Sequence, residues 1–176
     1  MNNSLVKLFL LFAFTLFLSC AEEPDPIKVI GSSEVTISGA ETGTINNSEV
    51  EFRYTIFSSS GNSESSISIN IGKVGTTESV LVLILTDTDN DAGFEVDQVY
   101  NYQADPESTL IYSPAYLTSD NSYSINPETT EENWLKFTRL ENTVVEGEFV
   151  INLENSNGDQ VVLTGSFKAL GSTLLI

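Results

Sequence analysis

Histidine is missing from this chain, cysteine and tryptophan occur once each, and basic residues are few, 7 Lys+Arg against 25 Asp+Glu for a formal net charge of −18. Each shortage excludes a class of chemistry. Without histidine, and with Cys20 the single cysteine, Ser-His-Asp and Cys-His catalysis and the usual zinc sites have no residues to build them. A lone cysteine also rules out an internal disulfide. No glycine-rich phosphate cradle occurs. The scarcity of Lys and Arg makes nucleic acid an unsuitable partner, because affinity there comes from neutralising phosphates, and an anionic lipid surface repels such a chain. No amphipathic helix pattern stands out. Long apolar runs are confined to Leu8–Leu18, interrupted by Thr15. Eleven residues make about 16 Å of helix, half of a ~30 Å hydrocarbon core, so this run is too short to span a membrane stably.

What precedes and follows that run gives it a meaning. Lys7 supplies a short positive segment, the apolar core follows, and Ser19 stands before the lone cysteine. This is the layout of a secretory signal peptide over residues 1–19, a processing segment and not part of the fold. Phe17-Leu18-Ser19-Cys20 resembles the lipobox of bacterial lipoproteins, with Phe17 where that pattern more often has Leu or Val. The resemblance implies that the Cys20 thiol takes a diacylglycerol, that the signal is cut before it, and that the new amino terminus is acylated. Two or more acyl chains, at about 0.8 kcal/mol per buried methylene, anchor a protein stably. Removing residues 1–19 takes away Lys7 and no acid, which leaves 6 basic residues against 25 and a charge of −19. Attachment to a membrane must then come from the lipid. Residues 20–33 read as the lipidated cysteine and an acidic tether of two prolines and three acids. As a flexible coil it would hold the domain roughly 20 Å from the membrane. The acids behind Cys20 resemble the surface-export signal of Bacteroidota lipoproteins. The expected location is the bacterial cell envelope, lipid-anchored at the outer membrane and displayed outward.

Residues 34–176 are expected to form one all-β domain. Period-two alternation rich in Val, Ile, Thr, Tyr and Phe, broken by Gly, Asn, Asp, Ser and Pro, predicts strands near Glu34–Ser38, Glu49–Phe57, Ser66–Ile71, Ser79–Thr86, Phe94–Gln103, Thr109–Tyr112, Trp134–Leu140, Val144–Glu154 and Gln160–Ala169. Val50, Phe52, Tyr54 and Ile56 share one strand face and Glu51, Arg53 and Thr55 the other, so that strand has a wet side. Val80–Leu85 is apolar on both faces, which predicts a central strand covered on each side. A single antiparallel two-layer β-sandwich supplies such a place, the alternative being an up-and-down or lipocalin-like β-barrel.

The last two strands specify their own register. A two-residue Asn157-Gly158 turn would pair residues whose numbers sum to 315 and set an apolar face against a polar one. A three-residue loop, Ser156-Asn157-Gly158, with Gly158 in the left-handed region, gives a sum of 314. Leu153 then faces Val161, Ile151 faces Leu163, Phe149 faces Gly165 and Gly147 faces Phe167, each ring lying over the partner strand's glycine. Together with Lys136-Phe137-Thr138-Arg139-Leu140 and Thr164-Gly165-Ser166-Phe167, this pattern over residues 133–169 resembles a family of uncharacterised Bacteroidota lipoproteins. In that family a Gly-Thr-Phe strand, a turn and a Thr-x-Gly-x-Phe strand follow one another. Glu148 departs from it at a variable place. The resemblance implies an all-β envelope lipoprotein and no particular activity.

Two groups of residues are candidates for a site. Tyr100, Tyr102, Tyr112, Tyr116 and Tyr123 fall within 24 residues, and with Trp134 they would offer a platform for sugar rings if exposed, or fill the core with hydroxyls at its rim. Asp87, Asp89, Asp91 and Glu95 are spaced so that a curled backbone brings carboxylates onto one cation, for which hard oxygen ligands favour calcium. Ala92 where an EF-hand loop needs glycine and Gln98 where its closing glutamate would stand weaken that site, and a solvated Asp/Asn/Gly turn is the plainer reading. No other cofactor is implied. A carboxylate pair for glycoside hydrolysis arises by chance among 25 acids, so no enzymatic activity is expected. The expected function is a membrane-anchored binding or adhesion module with a glycan or protein ligand, the alternative a structural envelope component without a small ligand.

Overall fold

The computed structural model describes residues 31–46, 49–59, 62–72, 79–89, 93–102, 109–128 and 132–175. The signal, Cys20, most of the tether and Asp91 lie outside them. Among the described residues every regular element is a strand: β1 (Ser32–Gly39), β2 (Gly43–Asn46), β3 (Val50–Ser59), β4 (Asn62–Ile71), β5 (Val80–Asp87), β6 (Val99–Asn101), β7 (Leu110–Tyr112), β8 (Ala115–Leu117), β9 (Ser122–Ser124), β10 (Trp134–Leu140), β11 (Val144–Glu154) and β12 (Gln160–Leu175). The all-β class that the alternation requires is what the chain adopts.

All twelve strands join one hydrogen-bonded sheet. Pairing runs from β12 through β3, β4, β5, β8 and β9 to β11, which itself pairs with β12, so the path returns to its start. The β9–β11 link in that circuit is the single pair Ser124↔Glu154. β1 and β2 extend from β12, and β10 and β6 from β11. Inward-facing alternates meet in one core that includes Val35, Phe52, Ile69, Leu83, Phe137, Phe149, Ile151 and Leu163.

The final hairpin has the expected register. Glu154↔Gln160, Leu153↔Val161, Ile151↔Leu163, Phe149↔Gly165 and Gly147↔Phe167 all pair. Its loop is closed by the Asn155 N–H donating to the Asp159 carbonyl at 3.0 Å, and Gly158 lies at φ +84°. That φ is costly for any residue with a Cβ, which is why glycine follows Asn157. The Phe167 ring covers Gly147, since a Cβ there would stand 2.8 Å from its Cζ. Gly165 answers to a different neighbour than expected. A Cβ on it would run into the backbone of Glu34 and Val35 on β1, so this glycine admits a strand and not only a ring.

Four expectations need correction. The sheet is mixed and not wholly antiparallel, because Leu170–Leu175 of β12 pairs in parallel with Glu51–Ile56 of β3 after β12 has passed beyond β1. The strand foreseen at Phe94–Gln103 shrinks to Val99–Asn101, since Asp97 takes φ +65° and breaks the extended run. Val96 makes only an isolated bridge to Phe137. β5 is not covered on both sides: Leu81, Leu83 and Leu85 are fully buried, but Ile84 is 37% exposed. Finally β2, β8 and β9 were not foreseen, being only three or four residues long. Strands that short repeat their alternation once at most.

Candidate functional site

The tyrosines are core residues. Tyr100, Tyr112, Tyr116 and Tyr123 are each at most 4% exposed, so of the two readings of the cluster the core-filling one describes them, and they offer no stacking platform. Tyr102 packs half-buried against the same core. Tyr100 stacks edge-on against Phe94, ring centroids 5.3 Å apart, and its hydroxyl accepts the Glu95 N–H at 2.7 Å. Tyr116 and Tyr123 stack at 5.8 Å. The Tyr123 hydroxyl donates to Glu41 Oε1 at 2.8 Å, and the Asn121 amide reaches the same oxygen at 3.1 Å. One carboxylate thus ties the β1–β2 connection to the β8–β9 turn. Burial raises the Tyr100 and Tyr116 hydroxyls above their ordinary pKa, and burial with the Glu41 carboxylate pushes Tyr123 up to about 12. Burial also raises Tyr112, whose hydroxyl is enclosed without a hydrogen-bond partner.

The acidic loop forms a turn at its start. Asp87 ends β5 opposite Leu110 and Ser65, and its Oδ1 accepts the Asp89 N–H at 3.2 Å, an Asx turn. Asp91 lies outside the described residues, and the Glu95 main chain is held by Tyr100. Among the described residues no three of His, Cys, Asp and Glu stand together as a metal site.

Trp134 is placed differently from the tyrosines. It opens β10 on the outer face, half-buried, while its neighbours Asn133 and Leu135 point inward and are buried. The Asn133 carbonyl oxygen of the side chain accepts the Asn152 N–H at 2.6 Å, and its main-chain carbonyl accepts the Tyr102 N–H at 2.8 Å, so the backbone before Trp134 is pinned to both flanking strands. Across the sheet Trp134 stands beside Asn101 on β6 and Val150 on β11, Val150 beside Thr164 on β12, Thr164 beside Thr36 on β1, and Thr36 beside Thr44 on β2. These alternates face outward because Leu135, Phe149, Leu163, Val35 and Ile45 take the core side of the same strands.

From Trp134 to Thr44 the row lines a groove of about 660 Å³, which also touches Glu34, Asn46, Glu148 and Ser166. The neighbouring rows are charged and internally paired. Lys136 meets Glu148 at 3.0 Å, Arg139 meets Glu141 at 2.8 Å and Glu146 at 3.3 Å, and Lys168 meets Glu146 at 3.6 Å. Exposed pairs of this kind add little stability, about 0–1 kcal/mol each, but they hold the cations against their glutamates. The groove therefore offers an indole, threonine hydroxyls and the Asn46 amide, with the Glu34 and Glu148 carboxylates at its border. Sequence reading singled out Trp134 but missed Thr36, Thr44, Thr164 and Asn101, which are scattered along the chain and converge only through the pairing of six strands. Their one sequence signal is polar residues at the alternates opposite the core positions.

Fold and face together define an acidic all-β domain with a polar groove on the outer face of its sheet. No protein-family model, curated protein or solved structure matches the chain.

Proposed function

We propose that this chain is a lipid-anchored envelope protein that works as a binding module, taking its ligand on the outer sheet face around Trp134. The observation that carries the reading is the groove of about 660 Å³ in which the sole tryptophan lies half-exposed in an uncharged row of hydrogen-bonding side chains. An aromatic face beside hydroxyls and amides binds ligands that have both apolar and polar sides. The anchor rests on Cys20 at the end of the apolar run, and outward display on the acids behind it. The resemblance of residues 133–169 to Bacteroidota lipoproteins supports the same location.

A glycan and host-protein binding screen on cells producing the wild-type chain or Trp134→Ala tests the reading. Binding that depends on Trp134 supports it, and equal binding by both refutes this face as the site. Burial of the tyrosines favours the second reading, a structural envelope component without a small ligand, which a blank screen would support. A calcium ion at Asp87, Asp89, Asp91 and Glu95 would be an accessory to either reading. Thermal shift under calcium titration, with Asp89→Asn as control, tests it.

A further inference from the structure

We infer that the ligand of the Trp134 face is a neutral, linear glycan lying across the strands along the row Asn101, Trp134, Val150, Thr164, Thr36 and Thr44. The inference rests on the binding reading above and names the ligand class. Six strands at about 4.8 Å spacing carry the row over about 24 Å, so a ligand that covers it must be extended. One end of the row is apolar, with the Trp134 indole against Val150, and the other is a run of threonine hydroxyls on adjacent strands. Thr164, Thr36 and Thr44 are all exposed, and Thr44 is within 3.5 Å of the Asn46 amide. Asn101 is the cross-strand neighbour of Trp134 and ends the row on β6.

A pyranose chain has this dual character: C–H faces that pack on an aromatic ring, and a hydroxyl edge that exchanges hydrogen bonds with Thr and Asn. Charge decides between glycan classes. The row itself carries no charge in a chain of net charge −18, and Glu34 and Glu148 border it. The nearby cations Lys136, Arg139 and Lys168 are each paired to a glutamate, so none is offered to a carboxylate or sulfate on the ligand. A polyanion would also approach against the field of the whole molecule.

Affinity electrophoresis of the full-length chain in detergent tests this, with a β-1,4-glucan, a β-1,4-mannan and a β-1,4-xylan in the gel against alginate and a sulfated galactan. Retardation by at least one neutral polymer and by neither polyanion is expected. Trp134→Ala should weaken it at least tenfold, and Thr36→Val with Thr164→Val several-fold, the latter at exposed positions that leave the melting temperature unchanged. Trp134-dependent retardation by a polyanion alone would overturn the neutral-glycan inference but keep the face as a site. Retardation by a neutral polymer that is unchanged in all variants would overturn the face. No retardation by any polymer, with Trp134-dependent capture of a protein in the screen, would overturn the glycan class alone.

Discussion

Tyr112 carries the one buried side-chain polar atom without a partner among the described residues, and its hydroxyl contributes a desolvation cost with nothing to offset it. Tyr112→Phe keeps the ring and removes that cost, so it should stabilise the domain by about 1 kcal/mol, read as a higher urea midpoint at unchanged slope. Tyr123→Phe should act in the opposite direction, losing about 1 kcal/mol, because its hydroxyl is held by Glu41 at 2.8 Å. The same burial makes a prediction about pH. Tyr100, Tyr112, Tyr116 and Tyr123 all have folded-state pKa values above the ordinary 10.0. Folding therefore favours their neutral forms. The stability this confers is complete below pH 10 and is lost as pH rises through the folded-state values, with Tyr123 at about 12. Melting temperature should fall steeply above pH 10, with tyrosinate absorbance of the four rings appearing in step with unfolding. Full tyrosinate signal from a still-folded domain at pH 11 would contradict the burial.

Within the β11–β12 hairpin, position along the strand and side-chain facing are one constraint. Deleting Val162 from within β12 would turn every later residue of that strand to the opposite face, setting Thr164 against Ile151 and Lys168 against Gly147 in place of Leu163 and Phe167. The deletion should abolish cooperative unfolding, whereas Gly158→Ala, which only strains the φ of +84°, should cost about 1–2 kcal/mol. Phe149→Ala and Phe167→Ala should each cost about 3–5 kcal/mol in chemical denaturation, as both rings are nearly fully buried. The hairpin was legible from sequence because period two makes register a matter of parity. β8 and β9 were not, since Ala115–Leu117 and Ser122–Ser124 hold one inward residue each, Tyr116 and Tyr123. Their pairing is visible only when those two rings are seen stacked.

Across the molecule, two ends of the chain carry the large-scale predictions. The last six residues of β12 supply its whole pairing with β3, so ending the chain after Ala169 should open the circuit there and lower the urea midpoint. An unchanged midpoint would mean that the parallel pair adds nothing. At the other end, Cys20→Ser should abolish partitioning into the detergent phase while leaving the melting temperature of the domain as it is. Partitioning equal to wild type would remove the basis for a lipid anchor at Cys20.

Sequence alone determined the classes of chemistry open to the chain, its all-β character and the pairing of its last two strands. Each follows from composition or from a period of two, properties that neighbouring residues carry without help from the rest of the fold. Tertiary structure alone decided what covers what. Tyr100 and Trp134 look equivalent as aromatic residues near strand ends, but one points into the core and the other onto a groove. Ile84 looks as buried as Leu83 until the neighbouring strands leave it 37% exposed. The parallel join of β12 to β3 and the row from Asn101 to Thr44 depend on strands far apart in sequence lying side by side. Such pairings are fixed by how the whole sheet packs around one core, and no local window of residues contains that information.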